Sequence, residues 1–145
     1  MGIAVDHRSL EEYRQADFVP FRAGIEAGCG GILVSHNNVL SIDDTYPASL
    51  SPEAHRILRE ELGFDGVIVT DDLVMDAISS VYGTGEAAVL AVLAGNDLLC
   101  VSELPEQYNA VLAAIEDGTI SKEAVRESAG RILSWKMELG LLEVA

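Results

Sequence analysis

Two cysteines, two lysines and one tryptophan are all that the 145 residues hold of those types. Cys29 and Cys100 are too few and too far apart for a disulfide framework, and no Cys-x-x-Cys pair is present. They are expected as two buried thiols behaving like small apolar side chains. Lysine and arginine together number 9 against 24 acidic residues, giving a net charge of -15 and a pI near 4.3. That balance argues against nucleic acid or an anionic membrane surface as partner, since both call for a basic face. No apolar run is long enough to span a bilayer. The first residues, MGIAVDHRSLEE, have neither the basic region nor the apolar core of a secretory signal. Taken as complete, the chain is expected in the cytoplasm.

What is present suffices for one domain, residues 1–145. Hydrophobic residues make up 49% and the mean hydropathy is +0.24, enough to fill a core. Ser9 and Glu12 form a capping box that opens a helical run, SLEEYRQA. Asp17 is placed to cap a second helix, VPFRAGIEAG, with Pro20 in its first turn and Gly28 as its stop. A strand is expected over GILVS from Gly31. Ser51-Pro52-Glu53 then starts a helix that Gly63 closes. The run VIVT, Val67 to Thr70, is a second strand. EAAVLAVLAG, closed by Gly95, is a helix, and NDLLCVS from Asn96 is a third strand. Helices over about residues 106–117 and 121–139 end the chain.

Three helix–glycine–strand junctions, EAGCGGILV, ELGFDGVIV and LAGNDLLCV, resemble one another. Their strand centres lie about 35 and about 31 residues apart, the repeat of a βα unit. The class is therefore α/β with parallel strands, and the near-continuous apolar character of each strand implies burial on both faces. Three strands among four or five helices leave two open sheet edges. The chain reads as the last part of a larger α/β structure, or as a piece that self-associates or takes a companion chain through those edges.

Parallel α/β folds gather their chemistry at the carboxyl ends of strands. Here those ends carry His36 after the first strand and Asp71-Asp72 after the second. An aspartate there can be a nucleophile, a base, a metal ligand or a helix cap. Side-chain alternation points the two carboxylates in opposite directions, so one of them is expected to face a site. His55 lies inside a helix and is expected at the surface. Asp6-His7 are adjacent in sequence, which does not bring their side chains together, and a solvated terminus is expected there. A receiver-type phosphoacceptor domain would also end a strand on carboxylates. It needs five strands and a lysine ending the last one, whereas Lys122 and Lys136 lie in the terminal helix region.

With those residues in view, LREELGFDGVIVTDDLVMDAI resembles the signature segment of glycoside hydrolase family 3, in particular its β-N-acetylhexosaminidase branch. DFVPFRAGIEAGCGGILVSHNN, YPASLSPEAHRILREELGF, EAAVLAVLAGNDLLCV and VRESAGRILSWKMELGLL resemble further segments of that family in the same order. The resemblance implies strands six to eight of a (β/α)8 barrel. It implies retaining hydrolysis of terminal N-acetylglucosamine from cell-wall or chitin-type glycans, without metal or organic cofactor. Asp71 corresponds to the family's nucleophile and His36 to a substrate-side position at the end of the sixth strand. A second acid/base group with its oxygens about 5–5.5 Å from the nucleophile is required for retention. In this branch it is an Asp-x-His loop, and neither that loop nor the family's Lys-His segment is among these residues. The chain by itself is accordingly expected to be inactive, either as the nucleophile-bearing part of a hydrolase or as a non-catalytic part-barrel.

Overall fold

The computed structural model describes residues 4–143. A two-residue strand, β1 (Val5–Asp6), precedes the capping box. There the Ser9 hydroxyl accepts from Glu12 N–H at 3.3 Å and the Glu12 carboxylate accepts from Ser9 N–H at 2.8 Å, opening α1 (Leu10–Glu12). The helix does not break at Asp17 as the sequence suggested. It passes through a wide π turn, Tyr13–Asp17, straight into α2 (Phe18–Glu26), and Asp17 has helical dihedral angles and no capping bond. Pro20 accounts for the widening. It cannot donate to the carbonyl of Ala16 four residues back, and Phe18 N–H reaches five residues back to Tyr13.

After Gly28, which takes the left-handed φ of 85° that ends the rod, come β2 (Gly31–Val34) and β3 (Asn38–Val39). Ser51 caps α3 (Pro52–Arg56), its hydroxyl accepting from Ala54 N–H at 3.1 Å with Pro52 in the first turn. A second π turn, Ile57–Glu61, extends this helix and leads to β4 (Val67–Thr70). The remaining elements are α4 (Asp76–Ser79), α5 (Thr84–Ala94), α6 (Leu104–Glu116) and α7 (Lys122–Glu138).

β2 and β4 pair in parallel, from Gly31 opposite Val67 to Val34 opposite Thr70. The expected third strand shrinks to one parallel bridge, Leu98 opposite Val69, on the far side of β4. Its ladder is cut short by a side chain: Cys100 N–H donates to the Thr70 hydroxyl at 3.0 Å rather than to a backbone carbonyl. The α/β class and the parallel direction thus hold, with the spatial order β2, β4, then the segment around Leu98. A second parallel pair, β1 with β3, was not foreseen.

Most of the core lies between the sheet and one helical layer. Phe18, Ile32, Val34, Ile57, Leu58, Leu62, Phe64 and Ile68 form one cluster, and Leu50, Leu73, Ile78, Ala87, Ala88 and Ala91 a second near the carboxyl ends of the strands. Burial on both faces is met in β4, where Val67, Ile68 and Thr70 are fully enclosed, but not in β2. Leu33 is 56% exposed, on the opposite side of the strand from Ile32 and Val34, which are buried in the first cluster.

Three further expectations are corrected. His55 is 3% exposed, enclosed where its helix meets the end of α5 at Gly95. Cys29 is exposed in the turn between Gly28 and Gly30, and Cys100 is exposed on the outer edge of the sheet. The segment of Asp6 and His7 is solvated as expected, and there Asp6 accepts from Arg8 and from the Tyr13 hydroxyl, while Arg8 bridges onward to Asp17 at 2.7 Å. These donors, Arg8 foremost, hold the Asp6 carboxyl far below the usual range.

Candidate active site

The apolar run of β4 stops where its chemistry starts. Asp71 N–H still donates to Val34 O at 3.2 Å, so the residue is anchored to the end of β2, but its side chain has left the ladder. One carboxylate oxygen, Oδ1, accepts from Asp72 N–H at 2.8 Å. The other, Oδ2, has no hydrogen-bond partner among the described residues. A half-buried carboxylate with one oxygen held and the other open has the geometry of a directed nucleophile or base.

Asp72 does different work. Its carboxylate accepts from Val74 N–H at 3.2 Å and from the Ser102 hydroxyl at the end of the third sheet segment. Its carbonyl accepts from Met75 N–H at 3.1 Å. Leu73 N–H meanwhile donates to Cys100 O at 3.2 Å. Both halves of Asp72 are consumed in ordering the loop after β4, and the two neighbouring carboxylates do part ways.

His36, one residue beyond Ser35 at the end of β2, is 5% exposed and meets the same loop. Its Nε2 lies 3.0 Å from the Asp72 carbonyl and its Nδ1 2.7 Å from Ser49 Oγ. A carbonyl only accepts, so Nε2 carries a proton, and in the neutral ring Nδ1 then accepts from the Ser49 hydroxyl. Both nitrogens are occupied by protein partners, which leaves none for a sugar hydroxyl in this arrangement.

Ser49, fully buried, was not singled out by the sequence. Besides meeting His36 it donates its N–H to Ser35 O at 3.2 Å, and its carbonyl accepts from the Asn96 amide at 2.8 Å. The loop between β3 and α3 is thereby tied to the ends of both β2 and α5. Asp43 secures the same loop: burial pushes its carboxyl up, but the Ser51 hydroxyl and the N–H groups of Tyr46 and Thr45 outweigh that and hold it low. The sequence signal available for Ser49 was its place in the Pro- and Ser-containing stretch PASLS, which reads equally well as turn chemistry.

Elsewhere the expected residues separate. His7 is exposed on the segment after β1, and His55 belongs to the helical layer, its Nδ1 2.8 Å from Ser51 O. Among the described residues no group of three or more His, Cys, Asp or Glu side chains is placed to hold a metal ion, and no helix is long and apolar enough to cross a membrane.

Residues 1–135 match the model of the glycosyl hydrolase family 3 N terminal domain. A beta-hexosaminidase of Thiobacillus denitrificans is 37% identical over 117 residues, covering 80% of this chain and 32% of that protein. An uncharacterized secreted glycosyl hydrolase of Arthroderma benhamiae is 36% identical, covering 90% of this chain and 39% of its own length. Among solved structures, a family 3 beta-N-acetylglucosaminidase from Paenibacillus sp. str. FPU-7 superposes with a TM-score of 0.91 at 36% identity over 99% of this chain, which is 29% of that one. The chain thus spans about a third of its relatives' length. By the reach of the family match and the parallel α/β framework that ends on Asp71, the chain belongs to glycosyl hydrolase family 3.

Proposed function

We propose that the chain is the nucleophile-bearing part of a retaining β-N-acetylhexosaminidase, with Asp71 as nucleophile. The observation that carries this reading is the Asp71 carboxylate itself, fixed through Oδ1 and open at Oδ2 at the carboxyl end of a buried parallel strand. Oδ2 would attack the anomeric carbon of a terminal N-acetylglucosamine. The bond from that carbon to the leaving oxygen breaks as the ester to Asp71 forms, and the leaving oxygen takes a proton from a separate acid. Water, deprotonated by the same group, then cleaves the ester and regenerates the carboxylate. The Asp-x-His acid/base loop that the resemblance implies is not in this sequence, and such assistance contributes roughly 10²–10⁴-fold. Ordinary glycosides are therefore not turned over usefully by this chain alone. The substrate class rests on the names of the relatives, a beta-hexosaminidase and a beta-N-acetylglucosaminidase.

The open side of the sheet supports assigning β2, β4 and the Leu98 segment to strands six, seven and eight of a barrel. Beside β2 lies a largely apolar cavity of about 370 Å³, walled by Val5, Phe21, Leu33, Val39 and Leu58 among others. A further strand pairing with the free edge of β2 would border that cavity.

A fluorinated N-acetylglucosaminide with a good leaving group removes the need for the acid and tests the nucleophile directly. Slow labelling of the peptide holding Asp71, lost in Asp71→Asn, is the expected result by mass spectrometry. A label on another carboxylate, or none, would overturn the assignment.

A further inference from the structure

The geometry points to His36 as a positioning residue, a buried clamp that holds the Asp71–Asp72 turn from behind rather than a group that touches the sugar. The inference rests on Asp71 being the nucleophile and adds the device that aims it.

Three observations carry it. The imidazole is the direct side-chain link from the end of β2 to the turn after β4, through Nε2 and the Asp72 carbonyl at 3.0 Å. The ring is locked on its other side by Ser49, itself fully buried and fastened to Ser35 and Asn96. And the carbonyl it holds belongs to the residue whose N–H fixes Asp71 Oδ1. Asp72 is therefore gripped at its carbonyl by His36 and at its carboxylate by Val74 and Ser102, while its N–H steers the neighbouring carboxylate. Removing the imidazole donor leaves the Asp72 carbonyl only its bond from Met75 N–H, which lies within the same loop and moves with it, so Asp71 loses a fixed aim. Misplacing a reacting group by about 1 Å can cost on the order of 10²-fold in rate, so a clamp of this kind has a kinetic consequence without any contact to substrate.

Two amide replacements separate the two ends of the ring. In His36→Gln the side-chain NH2 falls near the Nε2 position and can still donate to the Asp72 carbonyl. In His36→Asn it falls near Nδ1 and can reach Ser49 only. In the unsubstituted chain, ¹⁵N spectra of the ring should show the proton on Nε2, and this measurement stands even if a variant does not fold. His36→Asn should raise the backbone mobility of Asp71 and Asp72 in NMR relaxation and slow labelling of Asp71 by the activated fluorinated glycoside by at least about tenfold. His36→Gln should recover both. A proton on Nδ1, equal behaviour of the two variants, or a drop in melting temperature with the turn and the labelling rate unchanged would each overturn the clamp. The two readings fail separately. If the turn responds as expected but Asp71 is never labelled, the nucleophile assignment falls and the clamp stands. If Asp71 is labelled at full rate in His36→Asn, the clamp falls and the nucleophile stands.

Discussion

Arg59 Nη2 stands 2.6 Å from Asp97 Oδ2, and the aspartate side chain has no solvent exposure at all. Arg131 of α7 meets the other oxygen at 3.1 Å, Ile68 N–H donates to Oδ2 at 2.9 Å, and Arg59 also donates to the carbonyls of Phe64 and Gly66. One carboxylate thus joins the helix before β4, β4 itself, the third sheet segment and the closing helix, at the end of the sheet away from Asp71. Burial lowers the Arg59 pKa below its ordinary value, and Asp97 opposes that shift without cancelling it.

Cutting this strut leaves two guanidinium groups facing a vacated site. Asp97→Ala is expected to cost about 3–5 kcal/mol, the usual consequence of removing one partner of a buried pair. Asp97→Asn keeps an acceptor for Ile68 N–H and should cost less. Urea midpoints of the two variants check the order, and equal losses would mean that charge contributes little here.

Much of this architecture was readable because its causes are local. The strand Val67 to Thr70 is β-branched throughout and bounded by Gly66 and Asp71, and Ser51-Pro52 starts a helix by chemistry contained within four residues. The features that escaped depend on distant partners. The π turns need bonds to carbonyls five residues back that only Pro20 and tertiary packing select. β1 and β3 are two residues each, too short for any periodic pattern, and are held together across more than thirty positions of sequence. His55 looked like a surface residue because its burial comes from Gly95, some forty positions on. At the site, the place after the strand and side-chain alternation said only that one of Asp71 and Asp72 faces a site, and it was the family resemblance that singled out Asp71. That both His36 nitrogens are spent could not be read, since Ser49 and Asp72 approach it from separate loops.

His55 gives the chain a pH dependence of definite sign. Burial lowers its pKa below the ordinary value, and the Ser51 carbonyl and Asn96 amide, which pull the other way, do not compensate. The unfolded chain takes up a proton near pH 6.5 that the folded chain resists. The His55 contribution is therefore fully present above about pH 6.5 and is lost as pH falls below it, by at most roughly 1.4 kcal/mol per pH unit. Denaturant midpoints at pH 7.5 and 5.5 should fall further for the parent than for His55→Gln. Carboxylates held low by their partners, such as Glu61 beside Arg14, act in the same direction only nearer their own range, about pH 4.5 and below. An identical slope in the variant would remove His55 as the cause.

Stability and chemistry should come apart at Asp71. Its structural bond is one accepted N–H, at Oδ1, and an asparagine oxygen can accept the same proton. Asp71→Asn should therefore unfold within about 0.5 kcal/mol of the parent while losing the label. Loss of both together would mean that the carboxylate is held by more than Asp72.

The closing helix α7 has no buried residue, so its attachment must come from few points. One is Arg131 on Asp97; another is Trp135, whose indole lies close enough to Gly30 and Gly31 that neither position has free room for a Cβ. At Gly31 an added methyl would meet the six-membered ring at 3.0 Å. Gly30→Ala and Trp135→Ala attack the same contact from opposite sides, the first by collision and the second by removing an aromatic face. Because Trp135 is only half-buried, its truncation should fall below the 3–5 kcal/mol of an enclosed aromatic, at about 2 kcal/mol. Trp135→Ala leaves the β2–β4 ladder untouched, whereas the Gly30 carbonyl accepts from Val67 N–H at 2.9 Å, so the loss should be local in the tryptophan variant. Amide hydrogen exchange in α7 is expected to approach that of an unprotected helix while Val67 to Thr70 keep the protection of the parent chain. Exchange that rises in β4 and α7 together would instead mean that the helix and sheet open as one cooperative unit.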